Sequence, residues 1–263
     1  MGDIYVMPNF AANISMMYPE LDFFERFGAA ANSGFKGVEI LFPYEYSALE
    51  IKQKCIETGL SPVLFNTPPG SLANGDRGLA ALPGEEERFE AAFSLAMEYA
   101  EILGTRCVHV MSGRVLDGGN RKQHQATLVS NLKRAAPVAA ERGKTLLIEP
   151  INTFDVPGYL LNYQAQARLV IDEVGADNVK LQFDIYHCQI MEGNLAARLK
   201  EYFDLIAHIQ VAGNPGRHEP DIGEINYPFL FALIDDLGYD GWVGCEYKPK
   251  AGTENGLGWF KRT

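Results

Sequence analysis

The sequence contains no long hydrophobic run. None of its 263 residues falls within an uninterrupted apolar stretch near the ~20 residues that a membrane-spanning helix requires. The beginning of the chain also differs from a secretory leader, because Asp3 stands where a basic start is expected and Pro8 interrupts any apolar segment. We therefore predict that the protein has no membrane partner and resides in the cytoplasm.

Cysteine is scarce, and its spacing excludes the common cysteine-based sites. Cys55, Cys107, Cys188 and Cys245 lie far apart, without a C-x-x-C pair or the spacing of a zinc site. Three of the four lie in or beside apolar runs, where cysteine usually serves as a small buried hydrophobic residue. This pattern favours a reducing compartment and argues against a structural zinc site.

Basic residues are fewer than acidic residues. The 23 Lys and Arg residues face 34 Asp and Glu residues, which gives a formal net charge of −11. Such a balance repels phosphate backbones, so nucleic acid is not an expected partner. With 47% hydrophobic and 22% charged residues, the composition is that of a folded globular protein.

Short apolar runs alternate with segments of helical periodicity along the whole chain. The predicted strands are Phe10–Ile14, Gly37–Leu41, Leu60–Asn66, Arg106–Met111, Thr145–Glu149, Val179–Asp184, Leu205–Val211 and Trp242–Glu246. Nearly continuous apolar strands are typical of parallel strands that are buried on both faces. We therefore predict an α/β fold, a (β/α)8 TIM barrel that forms a single domain over residues 1–263. A doubly wound open sheet is less favoured, because no G-x-G-x-x-G loop follows the first strand.

The last four predicted strands all finish in an oxygen-bearing side chain. Glu149, Asp184, Gln210 and Glu246 occupy these ends, and strand two ends near Glu39. The carboxyl ends of barrel strands form the active-site mouth, where converging carboxylates need a compensating cation. Oxygen ligands without cysteine favour a divalent metal such as Mg2+ or Mn2+.

Three further polar residues lie near these strand ends. His187 follows Asp184 by three residues, at the start of the next predicted loop, and either turns back to the site or lies at the surface. Arg217 is a candidate for binding a substrate carboxylate or hydroxyl, with an ordinary exposed arginine as the alternative. His208 shares a strand face with Gln210 and is interpreted as a core or supporting residue.

The longest predicted loop, Thr67–Gly84, follows strand three on the same side of the barrel. It is interpreted either as a lid that excludes water or as a plain flexible loop. In the first case Arg77 would meet the carboxylate of the substrate.

Several segments of the sequence resemble those of the hydroxypyruvate isomerase family. That family belongs to the sugar isomerases and epimerases that are built on a xylose isomerase-like barrel. The resemblance covers almost the whole length. It is carried by FAANISM (Phe10–Met16), GVEILFPYEY (Gly37–Tyr46), LLIEPIN with the following DVPG (Leu146–Gly158), FDIYHCQIMEG (Phe183–Gly193), HIQVAGNPGRHEP and GEINY (His208–Tyr227), and GWVGCEYKP (Gly241–Pro249).

The resemblance implies roles for the residues at the strand ends. Glu149 and Glu246 would act both as metal ligands and in proton transfer, and Asp184 and Gln210 would complete the ligand set. In related ketose 3-epimerases a histidine usually replaces the residue at the position of Gln210, which argues against epimerase activity.

The same resemblance implies the substrate contacts. His187 and Arg217 would bind the oxygen atoms around the reacting carbons, and Asp155 matches an acidic contact of the epimerases. The implied substrate is a small hydroxy-keto acid, and the implied reaction converts hydroxypyruvate to tartronate semialdehyde. A 2-oxo-tetronate isomerase and a ketose 3-epimerase are alternatives, while a metal-dependent endonuclease and a non-catalytic barrel are disfavoured. Association into a homo-oligomer is also expected of barrels of this kind.

Overall fold

The structure, a computed structural model, describes residues 8–115 and 118–261. Eight parallel strands close into a barrel in sequence order, which confirms the predicted TIM-barrel fold. The predicted domain bounds, 1–263, extend at both ends beyond the described residues, and the residues before Pro8 on which the leader was judged lie outside them. The strands are β1 (Asn9–Asn13), β2 (Gly37–Ile40), β3 (Ser61–Asn66), β4 (Cys107–His109), β5 (Thr145–Ile148), β6 (Val179–Asp184), β7 (Ile206–Val211) and β8 (Trp242–Cys245).

Helices connect the strands and surround the barrel. They are α1 (Phe23–Ser33), α2 (Ala48–Thr58), α3 (Glu86–Leu103), α4 (Arg121–Glu141), α5 (Gln164–Val174), α6 (Ile185–Met191), α7 (Leu195–Tyr202), α8 (Tyr227–Asp236), α9 (Thr253–Gly256) and α10 (Gly258–Lys261). None of the described helices combines the length and apolar character needed to cross a bilayer. All four cysteines are buried and unpaired, which includes the three for which burial was predicted.

The local sequence explains the bounds of these elements. Residues 146–148 of β5 are fully buried, because one face of the strand lines the barrel and the other packs against helices. Helix α1 begins at Phe23 because Asp22 caps it and donates its backbone N–H to the Glu25 carboxylate at 3.1 Å. It ends at Gly34, whose φ of 105° is a left-handed conformation that glycine adopts without strain.

Three loops at the carboxyl ends of the strands are joined to one another. In the loop after β3, Gly78 pairs with Ser112 of the loop after β4 in an antiparallel bridge. Arg114 of this second loop pairs in the same way with Tyr159, in the loop after β5. The long segment predicted as a lid is therefore attached to its neighbours, and its position depends on theirs.

Inside the barrel, Glu39 of β2 extends over Gly244 of β8. A Cβ atom placed on Gly244 would lie 1.8 Å from Glu39 Oε1, a distance that no real contact reaches. Because glycine has no side chain, Gly244 leaves room for the buried carboxylate of Glu39.

We expect Gly244→Ala to lower the free energy of unfolding by roughly 1–3 kcal/mol, because the added methyl group displaces Glu39 from an already packed interior. Urea denaturation would measure the change. Gly28→Ala is the matched control, since Gly28 lies within α1 and a Cβ there meets nothing within 4 Å. Equal stability of Gly244→Ala and the wild type would show that Glu39 moves aside without cost.

Candidate active site

The barrel topology brings three of the predicted carboxylates to one buried region. Glu149 directly follows β5, Asp184 is the last residue of β6, and Glu246 directly follows β8. Only 4%, 1% and 7% of these residues, respectively, is exposed. Ligating atoms of Glu149, Asp184 and His187 lie within 4.8 Å of one another, close enough to hold one metal ion.

Burial in this region disfavours the charged forms of all three acids. Burial, followed by the charges of Glu246 and Asp184, raises the pKa of Glu149 well above its usual range. Burial also raises the pKa of Asp184, and it raises that of Glu246 to about 7, although in both cases the Arg217 guanidinium opposes the shift. The site therefore favours an additional positive charge.

Two oxygen atoms show where such a charge would be accommodated. Among the described residues, neither Glu149 Oε1 nor Asp184 Oδ2 has a hydrogen-bond donor, although both atoms are buried. Buried carboxylate oxygens without a partner are costly unless a cation or a proton satisfies them. The carboxylate donor set thus fits a hard divalent cation.

Arg217 is the positive group next to these acids. Its Nη2 atom donates to Glu246 Oε2 at 2.7 Å and lies 4.0 Å from Asp184 Oδ2. The guanidinium lies over the Tyr186 ring, 5.2 Å from its centre, and only 19% of the side chain is exposed. Although burial opposes it, the surrounding carboxylates raise the pKa of Arg217. The alternative of an ordinary exposed arginine does not describe this residue.

His187 lies on helix α6, which begins immediately after β6, and not in a loop as predicted. Asp184 caps this helix, since its Oδ1 atom accepts from the His187 backbone N–H at 3.1 Å. On the ring, Nδ1 lies 2.7 Å from Asn152 Nδ2, which can only donate, so Nδ1 accepts and Nε2 carries the proton. Burial and the nearby Arg217 lower the pKa of His187 well below its usual value, so the ring is neutral.

The Nε2–H group of His187 faces two of the acids. It lies 3.8 Å from Asp184 Oδ2 and 4.0 Å from Glu149 Oε1. In this tautomer Nε2 is a hydrogen-bond donor rather than a metal ligand.

Asp155 lies at the edge of the site, in the loop after β5. Its Oδ2 atom accepts from Asn152 Nδ2 at 3.1 Å and lies 3.9 Å from Arg217 Nη1. It is more exposed than the three central acids. Asn152 therefore contacts both Asp155 and His187 through its side-chain nitrogen, and Asp155 in turn lies next to Arg217.

Gln210, on β7, is fully buried and belongs to a deeper polar layer. Its amide nitrogen donates to Glu39 Oε2 at 3.0 Å, and its carbonyl oxygen accepts from Gln182 Nε2 at 2.7 Å. A carbonyl oxygen has two lone pairs, so one remains for a metal ion after the contact with Gln182. These two contacts, with Glu39 and Gln182, fix which end of the Gln210 amide carries the oxygen.

Glu39 is a residue whose role sequence reasoning did not assign. It accepts from Asn13 Nδ2 at 3.1 Å and from Gln210, and its other oxygen is in very short contact with His208 Nε2. Asn13, Gln210 and His208 come from β1 and β7, on either side of β8. The interpretation of His208 as a supporting residue agrees with this contact.

His109, at the end of β4, was missed altogether. Its Nδ1 atom lies 3.1 Å from Asn66 Oδ1 and 3.6 Å from Glu149 Oε2. Burial lowers its pKa to about 3, which keeps the ring neutral next to Glu149. A polar residue within the apolar run of residues 107–111 was the available signal, the same signal that identified the other strand ends.

Arg77 makes no described contact with the acids of the site. Its Nη1 atom donates to the carbonyl oxygens of Asp76 and Leu72, at 2.7 and 3.5 Å, within its own loop. These contacts therefore do not support the hypothesis that Arg77 binds the carboxylate of the substrate as part of a lid.

Known proteins share both the sequence and this architecture. The family described as xylose isomerase-like TIM barrel matches residues 27–263. A 2-oxo-tetronate isomerase of Cupriavidus necator is 54% identical over 97% of this chain and 98% of its own length. A hydroxypyruvate isomerase of Escherichia coli is 47% identical over 97% of this chain and 98% of its own length.

Solved structures extend the comparison to the fold. A Brucella melitensis protein described as an AP endonuclease of family 2 superposes with a TM-score of 0.95 at 45% identity, covering 97% of this chain and 99% of its own. The E. coli 3-keto-D-glucoside 4-epimerase gives a TM-score of 0.81 at 24% identity, covering 98% of this chain and all of its own, and shares the fold.

The raised pKa of Glu246 predicts a pH effect on the stability of the metal-free protein. Because that pKa rises from 4.5 to about 7 on folding, the folded chain binds the proton more tightly than the unfolded chain does. The resulting stabilisation is complete below about pH 4.5 and is lost as the pH rises through about 7. Between these values, we expect the free energy of unfolding of the wild type to fall relative to that of Glu246→Gln.

Urea denaturation of the metal-free proteins at several pH values would measure this difference. Glu254→Gln, which changes an exposed glutamate of α9, should follow the wild type. Parallel pH profiles for the wild type and Glu246→Gln would contradict the assigned shift.

Proposed function

Since this chain belongs to the xylose isomerase-like TIM barrel family, and within it to the isomerases of hydroxy-keto acids, we propose that it interconverts hydroxypyruvate and tartronate semialdehyde. The protein is an isomerase, as its curated relatives are. The substrate proposal rests mainly on the placement of Arg217, which lies 2.7 Å from Glu246 and 4.0 Å from Asp184, with Glu149 close enough for the charges of both acids to raise its pKa. This arrangement combines proton-transfer groups with a cation suited to an anionic substrate.

We propose that Glu149, Asp184, Gln210 and Glu246 hold a divalent metal ion, Mg2+ or Mn2+. The partnerless oxygens of Glu149 and Asp184 and the remaining lone pair of Gln210 supply ligands of the type that these ions prefer. When bound, the ion would supply positive charge to the substrate oxygens that become negative as the proton leaves.

The two glutamates would perform the two proton transfers of the isomerisation. One, as the carboxylate, removes a proton from the hydroxyl-bearing carbon of hydroxypyruvate, and the other, in its protonated form, delivers a proton to the neighbouring carbon. The proton of the hydroxyl group passes to the oxygen of the former carbonyl group. A carboxylate with a pKa near neutrality is suited to both directions, and the pKa of Glu246 is about 7. Arg217 holds Glu246 Oε2, which leaves Oε1 for the proton.

The remaining polar groups would orient the substrate. The Nε2–H group of His187 is available to donate to a substrate oxygen, because Asn152 occupies the other ring nitrogen. Arg217 would bind an oxygen of the substrate with donors that Glu246 does not use. Asp155, 3.9 Å from Arg217, would contact a hydroxyl group at the edge of the site.

A four-carbon 2-oxo acid is the second candidate substrate. The relative named 2-oxo-tetronate isomerase is 54% identical to this chain, whereas the one named hydroxypyruvate isomerase is 47% identical. Both substrates require the same proton transfer next to a carbonyl group. The choice between the two substrates therefore depends on whether the site has room for one more carbon atom. It does not depend on the reaction mechanism.

DNA is not favoured as a substrate, despite the name of the B. melitensis protein. The chain carries a net charge of −11, and the described site contains three buried acids and a single arginine. Such a surface opposes the approach of a phosphate backbone.

The proposed function can be tested by offering hydroxypyruvate and 2-oxo-tetronate side by side, after chelation and after addition of Mg2+ or Mn2+. We expect metal-dependent turnover of hydroxypyruvate, monitored by the formation of the aldehyde product. Glu246→Gln and Glu149→Gln should each lower kcat by about 10²-fold or more, because each removes a proton-transfer group.

Glu254→Gln serves as the control, since it changes an exposed glutamate outside the site. Preference for the four-carbon acid would retain the mechanism and reassign the substrate. Turnover of Glu246→Gln close to that of the wild type would refute the role of this residue.

Glu39→Gln tests whether the deeper polar layer positions the metal ligands. The substitution removes a carboxylate that accepts from Gln210 and His208, so the Gln210 amide loses its fixed orientation. We expect the affinity for Mn2+ to fall by about 10- to 100-fold, as measured by calorimetric titration. Unchanged Mn2+ affinity with lowered thermal stability would indicate that Glu39 only supports the fold.

A further inference from the structure

A second polar pocket lies outside the carboxylate site. It has a volume of about 470 Å3 and is formed by the loops after β3 and β4 together with the first turns of α3 and α4. We call it the arginine pocket, because it is lined by Arg77, Arg88, Arg114 and His124. A pocket of this size is large enough for a small metabolite.

Two of its arginines make contacts only with backbone oxygens. Arg114 donates from Nε to Pro157 O at 2.8 Å and from Nη1 to Gly75 O at 3.3 Å. Arg77 likewise donates from Nη1 to carbonyl oxygens of its own loop. Of the described residues, no carboxylate forms an ion pair with either guanidinium. Within the described part of the chain, both arginines therefore retain N–H donors and have no paired carboxylate.

The third arginine is already paired. Arg88 forms ion pairs with Glu85 at 2.6 Å and with Asp76 at 3.4 Å, and both acids line the pocket. Among the described residues that line it, the pocket thus has three guanidinium groups and two carboxylates. A local excess of positive charge is unexpected in a chain whose net charge is −11, because its overall composition is acidic.

His124 is a further polar group without a partner. It lines the pocket from α4, is 6% exposed, and its Nδ1 atom has no hydrogen-bond partner among the described residues. A buried polar atom of this kind costs free energy unless a ligand or water satisfies it.

From these contacts we infer that the arginine pocket binds a phosphate group, either as inorganic phosphate or as the terminal group of a phosphate monoester. The planar guanidinium forks of Arg77 and Arg114 match the spacing of phosphate oxygens. An anion would compensate the excess of one positive charge among the described lining residues, and a phosphate group has oxygen atoms for both unpaired arginines. The pocket shares no residue with the carboxylate site, so this inference is independent of the proposed function.

Isothermal titration of the metal-free protein with inorganic phosphate and with glycerol 3-phosphate tests the inference. We expect saturable binding that weakens with salt and that falls by about tenfold or more in Arg77→Ala and in Arg114→Ala, since each variant removes charged hydrogen-bond donors. Arg142→Ala is the matched control, because it removes the same charge from an exposed residue at the end of α4.

The two titrants distinguish the sources of the phosphate. Equal affinities indicate a site for the phosphate group alone, whereas tighter binding of the ester indicates contacts with an organic part. Asp184→Asn, which alters the carboxylate site, should bind phosphate as the wild type does. Loss of binding in that variant would place the anion in the barrel mouth and overturn the inference.

Arg114 joins two loops, so Arg114→Ala can also disturb the local fold. Arg114→Lys retains the charge without the fork, and Arg77→Ala affects bonds within one loop only. Circular dichroism would confirm that these variants are folded. Absence of saturable binding to the wild type, or equal weakening in Arg142→Ala, would refute the site.

Discussion

Carboxylates repel one another strongly where water is excluded, and Glu149, Asp184 and Glu246 lie together in such a place. The barrel can place them there because the carboxyl ends of its parallel strands all lie on the same side. Arg217 compensates part of the charge through Glu246, while two carboxylate oxygens remain without donors. The orientation of His187, the protonation of Glu246 and the proposed metal site all follow from this concentration of negative charge.

Beneath the acids lies a layer of hydrogen bonds that leaves little freedom to the ligands above. Glu39 connects Asn13, His208 and Gln210, and Gln182 occupies one side of the Gln210 amide. Turning the Gln210 amide would place its donor against Gln182 Nε2 and its oxygen against the Glu39 carboxylate, so these hydrogen bonds favour one arrangement. The site is therefore built from two levels, a lower one that is held by these hydrogen bonds and an upper one in which two carboxylate oxygens have no donor among the described residues.

The strands and the acids at their ends could be predicted from the sequence, because both depend on short patterns within one segment. An apolar run that ends in Glu149 or Asp184 can be recognised as a strand with an acid at its end from that segment of the sequence alone. The roles of Glu39 and Arg217 could not be derived in this way, since each depends on partners in distant parts of the chain. His187 was placed in a loop because nothing in its neighbourhood indicated that Asp184 would cap a short helix. His109 has the same local signal, a polar residue within an apolar run, and was nevertheless missed.

The antiparallel bridges between the loops have a consequence for how such a protein can diverge. Gly78 pairs with Ser112, and Arg114 pairs with Tyr159, so three successive loops share one backbone framework. An insertion in any one of them would shift the other two, including the loop that contains Asp155. Change in these loops must therefore be concerted, whereas the helices on the outside of the barrel are free to vary one at a time.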